Sequence, residues 1–276
     1  MPRRRLAVAL LLPQPWATEI DGLRRASGDL QMARVAPHVT VIPPINVREA
    51  DLPAVLGLLR AAAAAVPAGL DLGIGPTATF LPDAPVLYLR VTGAAVDDGR
   101  LARIRAALQA GPLDRPDRWP FVPHVTLAQD QPAERLAAAA AVLAGYVVEV
   151  GVDRLHLMEE VTVPAGGRRW VPIADARLGP RVVVGRGGLP LELTTGSLVD
   201  PEALVLLPAA PDPDRRPGDR IVVTARRADT AEVVGVAAGP FGDGSPEVLV
   251  VAPSATGEGV EEHLQARWAW SAEPSR

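Results

Sequence analysis

PHVTVI at residues 37–42 and PHVTLA at residues 123–128 are nearly the same six residues, written twice in one chain. The chain has 4 histidines, and two of them, His38 and His124, hold the same place in these hexapeptides. Side chains of an extended strand alternate faces with period two. His38 and Thr40 therefore point to one face, and Val39 and Val41 to the other. His124 and Thr126 stand in the same relation to Val125 and Leu127. Each copy offers one imidazole and one hydroxyl, side by side on a strand backed by apolar packing.

A second echo follows each hexapeptide. Asp51-Leu52-Pro53-Ala54 opens one alanine-rich stretch and Asp130-Gln131-Pro132-Ala133 another. The first predicts a helix over 51–66, with Asp51 as N-cap and Pro53 in the first turn, where a missing N–H costs nothing. The second predicts a helix over 131–143. The histidine-to-aspartate gap is longer in the first copy, so an extra loop is expected at 43–48. Two repeated features in the same order predict two similar structural units, and if the units face each other both His-Thr pairs line one cleft. Around them, strands are expected at 6–12, 39–42, 86–91, 146–150 and 154–158, and a helix at 100–110. The texture changes at 179–188, which reads as a linker. Beyond it come a loop at 212–219, strands at 220–224, 233–236 and 248–251, and a closing helix at 260–270.

Composition narrows the chemistry. With 276 residues, 48% of them hydrophobic, the chain can bury one or two cores. A net charge of −4 argues against a general nucleic-acid coat or a polybasic membrane binder, though a local basic cleft can still hold a nucleotide or RNA end. There is no cysteine, which excludes disulfides and thiolate nucleophiles. All 28 basic residues are arginine, which removes Schiff-base chemistry and the P-loop lysine. Arg3, Arg4 and Arg5 ahead of an apolar run mimic an export signal. The run is too short to span a membrane, and Pro13-Gln14-Pro15 follows it without a small-residue cleavage pattern. It reads as a buried first strand, and a cytoplasmic location is expected.

Two imidazoles and two hydroxyls across a cleft suit phosphodiester cleavage. One neutral histidine takes a proton from water while the other, protonated, delivers one to the departing oxygen. The hydroxyls can hydrogen-bond the non-bridging oxygens and hold the phosphate in line. Two histidines fall short of the three protein ligands usual for a catalytic zinc, so neither metal nor cofactor is expected.

The paired His-x-Thr-x pattern, here His38-Val39-Thr40-Val41 and His124-Val125-Thr126-Leu127, resembles the 2H phosphoesterase superfamily, which includes 2′-5′ RNA ligase-like proteins and cyclic nucleotide phosphodiesterases. The resemblance covers roughly residues 1–178. It implies a bilobal α+β fold with pseudo-twofold symmetry and metal-independent action on 2′,3′-cyclic phosphates or 2′-5′ linkages of a nucleotide or RNA end. It also implies His38 and His124 as the acid/base pair and Thr40 and Thr126 as phosphate-binding hydroxyls. The symmetry of the motifs leaves open which histidine is the base. The alternatives are a non-catalytic module that binds a nucleotide or RNA end, and a bifunctional protein with acetyl-CoA-dependent acetyltransferase activity.

Other residues read as structural. Trp119, Phe121 and Tyr88 could stack a nucleobase, but aromatics beside strands are more often core. His156 has no threonine two residues on and reads as a half-exposed strand histidine. His263, beside Glu261 and Glu262, reads as a solvated helix face. Glu159 and Glu160, adjacent on a strand, point apart and do not form a paired acid/base.

The stretch VVAPSATGEGVEEHL at 250–264 resembles the cofactor loop of GNAT acetyltransferases through Val251, Pro253, Gly257 and Gly259. Thr256 stands where that family has Arg or Gln, and Glu261 where it has a small residue. Glu258, Glu261 and Glu262 would set negative charge against a pyrophosphate at the helix start. The expected organisation is thus a 2H phosphoesterase-like domain at 1–178, a linker at 179–188, and a small, degenerate α/β GNAT-like domain at 189–276. That last domain is expected to offer a surface to a protein partner.

Overall fold

The computed structural model describes residues 2–117, 119–163, 166–185, 188–207 and 220–272. In chain order the first part runs β1 (Arg3–Leu11), α1 (Trp16–Ser27), β2 (His38–Arg48), α2 (Leu52–Ala64), β3 (Leu70–Thr79), β4 (Val86–Thr92), α3 (Ala94–Asp97), α4 (Arg100–Leu108), β5 (His124–Gln129), α5 (Ala133–Val142), β6 (Val148–Val152), β7 (Arg154–Thr162) and β8 (Arg168–Arg177). The remainder is β9 (Val182–Val184), β10 (Leu191–Gly196), β11 (Arg220–Arg227), β12 (Val233–Pro240), β13 (Val248–Val251) and α6 (Val260–Ala272).

The first part makes two four-stranded sheets, ordered β2-β1-β7-β8 and β5-β4-β3-β6. Every pairing within them is antiparallel. Both sheets put a hexapeptide strand on one edge, next to a strand that precedes it in the chain. The repeat in sequence is therefore a repeat of this edge pair, while the inner strands follow a different chain order in each sheet. Strand polarity follows from burial: Val39, Val41, Val125 and Leu127 have no exposed surface. Turning either strand over would bring these side chains out of the core, at roughly 1.5–3 kcal/mol each. One contiguous core joins both sheets. It includes Leu6, Val8 and Leu10 of β1, Leu87 and Leu89 of β4, and Val55, Leu56 and Leu59 on one face of α2.

The structure departs from the sequence reading in three places here. The expected loop at 43–48 is strand, because β2 stays paired with β1 from Leu11↔His38 to Arg3↔Arg48. Pro43 and Pro44 sit beside a register shift on this edge strand, where a missing N–H breaks no ladder bond. Asp51 occupies the N-cap position of α2 but makes no side-chain cap bond, since it already belongs to a short 3₁₀ turn at Glu49–Asp51. Its echo Asp130 lies before the N-cap of α5, which is Pro132, and adopts φ 58°.

The C-terminal sheet is ordered β13-β12-β11-β10-β9 and is antiparallel throughout. Val182–Val184, within the stretch read as linker, is its edge strand β9. Strand β10 had no counterpart in the sequence reading. The proline- and aspartate-rich stretch 212–219, read as a loop, lies outside the described residues. Helix α6 buries Val260, Leu264 and Trp268 at i, i+4, i+8 against Ile221, Val223 and Ala225 of β11. Gly235 lets it approach, since a Cβ there would lie 2.8 Å from Val260 Cγ1. Val222, Val236 and Ala238 pack on the opposite face with Val199 and Ala203. Among the described residues no helix is long and apolar enough to cross a membrane.

Candidate active site

His38 and His124 open their strands and are both half-buried. Their surroundings repeat. His38 Nδ1 lies 2.8 Å from the carbonyl of Ala36, and His124 Nδ1 lies 2.7 Å from the carbonyl of Val122. A carbonyl only accepts, so Nδ1 carries the proton in both rings and Nε2 presents its lone pair. Two residues on, Thr40 and Thr126 are also half-buried. Thr40 and His124, one from each copy, line a single cavity of about 570 Å³. His38 and Thr126 are not among its lining residues, but the charge of His124 acts on His38.

The two copies differ in what stands behind each imidazole. Tyr88 pairs across β4–β5 with Thr126, whereas Ala9 holds the matching place opposite Thr40. Tyr88 stacks on Phe80 at 4.2 Å, and the His124 ring meets both edge-on, 5.1 Å from Phe80 and 5.3 Å from Tyr88. Tyr88 is thus a buried support for His124 and not a free stacking surface. His38 has the guanidinium of Arg24 near it instead. Burial is the main cause that lowers its pKa, opposed by the Ala36 carbonyl, and the charges of Arg24 and His124 lower it further. Burial also lowers His124, against the pull of the Val122 carbonyl. Arg24 is itself fixed by Asp29 and Asp21, each at 2.8 Å, and by the Val35 carbonyl at 2.9 Å, which ties down the approach to His38.

The mouth of the cavity is built from irregular chain that the sequence reading did not assign. Arg105 of α4 donates to the Val41 carbonyl, pairs with Asp117, and lies 4.4 Å over the Phe121 ring. Arg115 donates to the Pro44 carbonyl at 2.8 Å. These two arginines pin the segment ahead of β5 to strand β2, so the cleft wall spans both halves. Trp119 is 76% exposed and lines the same cavity with Phe121. A lone arginine on a helix gives no signal for this in sequence.

The remaining candidates fall out as structural, with one correction. Glu159 pairs with Arg4, and Glu160 with Arg34 at 2.6 Å, so the two carboxylates serve separate ion pairs. His263 is half-exposed on α6, beside the exposed Glu261 and Glu262. His156 is not half-exposed but buried, at 5%. It lies in register between Ala9 and Asp175, and its Nδ1 has no hydrogen-bond partner. Burial lowers its pKa against the attraction of Asp175. Among the described residues no three His, Asp or Glu side chains are grouped to hold a metal.

Three lowered histidines make stability depend on pH. A histidine whose folded pKa lies below the unfolded value of about 6.5 binds fewer protons folded than unfolded. Its contribution is complete above that value and is lost as pH falls from there through the folded pKa. Denaturant unfolding is therefore expected to show lower stability at pH 5.5 than at pH 7.5. Replacing His38, His124 and His156 together by glutamine should flatten that slope; an unchanged slope would show that other groups set it.

Residues 12–163, more than half of the chain, match the family model of the 2′-5′ RNA ligase superfamily. The chain belongs to this superfamily. Among curated relatives, a Staphylococcus aureus (strain Newman) protein named "Putative phosphoesterase" is 27% identical over 158 residues, which is 57% of this chain and 88% of that protein. A phosphoesterase homologue from strain JH1 gives the same identity and coverage. Among solved structures, Escherichia coli LigT complexed with 3′-AMP aligns at a TM-score of 0.45 and 20% identity, over 64% of this chain and 99% of that one. A Thermus thermophilus protein aligns at 0.47 and 19%, over 63% and 97%.

Proposed function

We propose that the chain is a metal-independent phosphoesterase that opens 2′,3′-cyclic phosphates, or acts on 2′-5′ linkages, at the end of a nucleotide or RNA. The observation that carries this reading is the duplicated imidazole: His38 and His124 each have Nδ1 tied to a carbonyl, which leaves the lone pair on Nε2, and each has a threonine two residues on. Thr40 and Thr126 hydrogen-bond the non-bridging phosphate oxygens. The exposed Trp119 at the cavity mouth offers a face for the base.

In ring opening, a water oxygen forms a bond to phosphorus while the bond from phosphorus to one ribose oxygen breaks. One histidine accepts the proton of the water and the other donates a proton to the leaving ribose oxygen. The surroundings favour His38 as base, because the Arg24 charge opposes its protonation. They favour His124 as acid, since the aromatic rings beside it can receive an imidazolium. The pair ends with its protons exchanged, and solvent restores the starting state.

The test is turnover of the four nucleoside 2′,3′-cyclic phosphates by the native chain in excess EDTA, with the product isomer identified. Turnover in EDTA to a single nucleoside monophosphate isomer supports the reading. Loss of turnover in EDTA, restored by a divalent cation, would overturn metal independence. No turnover of any of the four would remove the cyclic-phosphate reading.

A further inference from the structure

A second cavity, of about 280 Å³, lies between the first part of the chain and the C-terminal sheet. Arg60, Asp153 and Arg177 come to it from the first part, and Arg181, Thr195 and Arg267 from the C-terminal side. In a chain of net charge −4, this wall sets four guanidinium groups against one carboxylate.

The arginines are not equally satisfied. Arg60 is paired with Asp200 at 3.2 Å and Arg181 with Glu192 at 3.1 Å. Among the described residues Arg177 has only Asp153, at 3.9 Å, a carboxylate that Arg154 also approaches at 3.6 Å. Arg267 donates from Nε to Thr195 Oγ1 at 3.2 Å and has no carboxylate within ion-pair distance among the described residues. It lies 4.1 Å over the Trp270 ring, and Arg177 lies 5.8 Å from the same ring. The indole thus holds two like charges near each other at one cavity wall. Each raises the cost of the other unless an anion sits between them. Burial and the charge of Arg177 both lower the pKa of Arg267.

We propose that this cavity is a ligand site separate from the histidine cleft, and that it takes a small molecule through a phosphate group. Guanidinium forks match phosphate oxygens in pairs, and the Thr195 hydroxyl can add a further donor. The volume is about half that of the histidine cleft, which suits phosphate or a phosphorylated sugar better than a whole nucleotide. Because both sides contribute, a bound phosphate would hold the C-terminal sheet against the first part. The inference is independent of what the histidines do.

The test uses the full chain carrying His38→Ala and His124→Ala, so that phosphate in the histidine cleft does not confuse the reading. Inorganic phosphate and ribose 5-phosphate are titrated by calorimetry, with sodium chloride at matched ionic strength as the comparison. Saturable binding of either probe, weakened at least tenfold by Arg267→Gln and by Arg177→Gln but not by Arg25→Gln, is the expected result. Binding of both probes points to phosphate itself, and of ribose 5-phosphate alone to an ester. Should Arg267→Gln fail to fold, Arg177→Gln decides. No saturable binding, or binding equal in all variants, would overturn the proposal, as would an equal response to chloride.

Discussion

Replacing His38 or His124 by alanine is expected to lower turnover of a nucleoside 2′,3′-cyclic phosphate by about 10²–10⁴-fold in either case. Removing both should cost little more than the worse single change, because the two act as a unit in one step. The shape of the pH profile separates their roles. The base must be neutral, so it sets the acid limb of kcat/KM; the acid must be protonated, so it sets the alkaline limb. With both pKa values lowered by burial, the native optimum should lie on the acid side of about 6.5. His38→Ala should flatten the acid limb and His124→Ala the alkaline limb; the opposite pattern would exchange the roles. Native turnover in either alanine variant would remove the paired-histidine mechanism, whatever reaction the chain performs.

How much of this was legible in the sequence depends on how local the cause was. The period-two reading of the hexapeptides needed only the alternation of valine with histidine and threonine, and the burial of Val39, Val41, Val125 and Leu127 follows it residue by residue. The duplication also survived, as two four-stranded sheets that each carry a hexapeptide strand on one edge beside the strand before it. What failed was decided at a distance. Pro43 and Pro44 looked like loop, but pairing with β1 carries β2 past them. Trp119 was read as core with Tyr88, yet it is 76% exposed, while Tyr88 is buried against Phe80 at 4.2 Å. His156 looked half-exposed because its own strand alternates well enough. Its burial depends on a row of partners from β1 and β8 that lie far from it in sequence. The cleft wall was invisible for the same reason: Arg105 and Arg115 act through backbone carbonyls of a strand 64 and 71 residues away.

The same distance problem hid Asp175, whose replacement by alanine is expected to be the most damaging single change to stability. Its carboxylate is buried and accepts from the backbone N–H of Ser197 at 2.8 Å, the Ser197 hydroxyl at 2.8 Å and the N–H of Leu198 at 2.7 Å. Arg154 completes the set at 3.3 Å. Gly196 is required for this approach, since a Cβ there would lie 2.8 Å from Asp175 Oδ1. Asp175→Ala leaves two backbone donors without their acceptor and leaves the largely buried Arg154 guanidinium with Asp153 alone, at 3.6 Å, among the described residues. Breaking a buried charged group's bonds in this way costs about 3–5 kcal/mol, a large share of the roughly 5–15 kcal/mol that holds a domain folded. The effect should also be localised. The hydrophobic cluster of the first part and those of the C-terminal sheet are separate, and polar contacts such as this one join them. Urea unfolding of Asp175→Ala is therefore expected to split into two transitions, with the C-terminal sheet released first, while Asp175→Asn, which keeps one acceptor, should lose less. A single transition shifted by under about 1 kcal/mol would show that the carboxylate does not join the two parts.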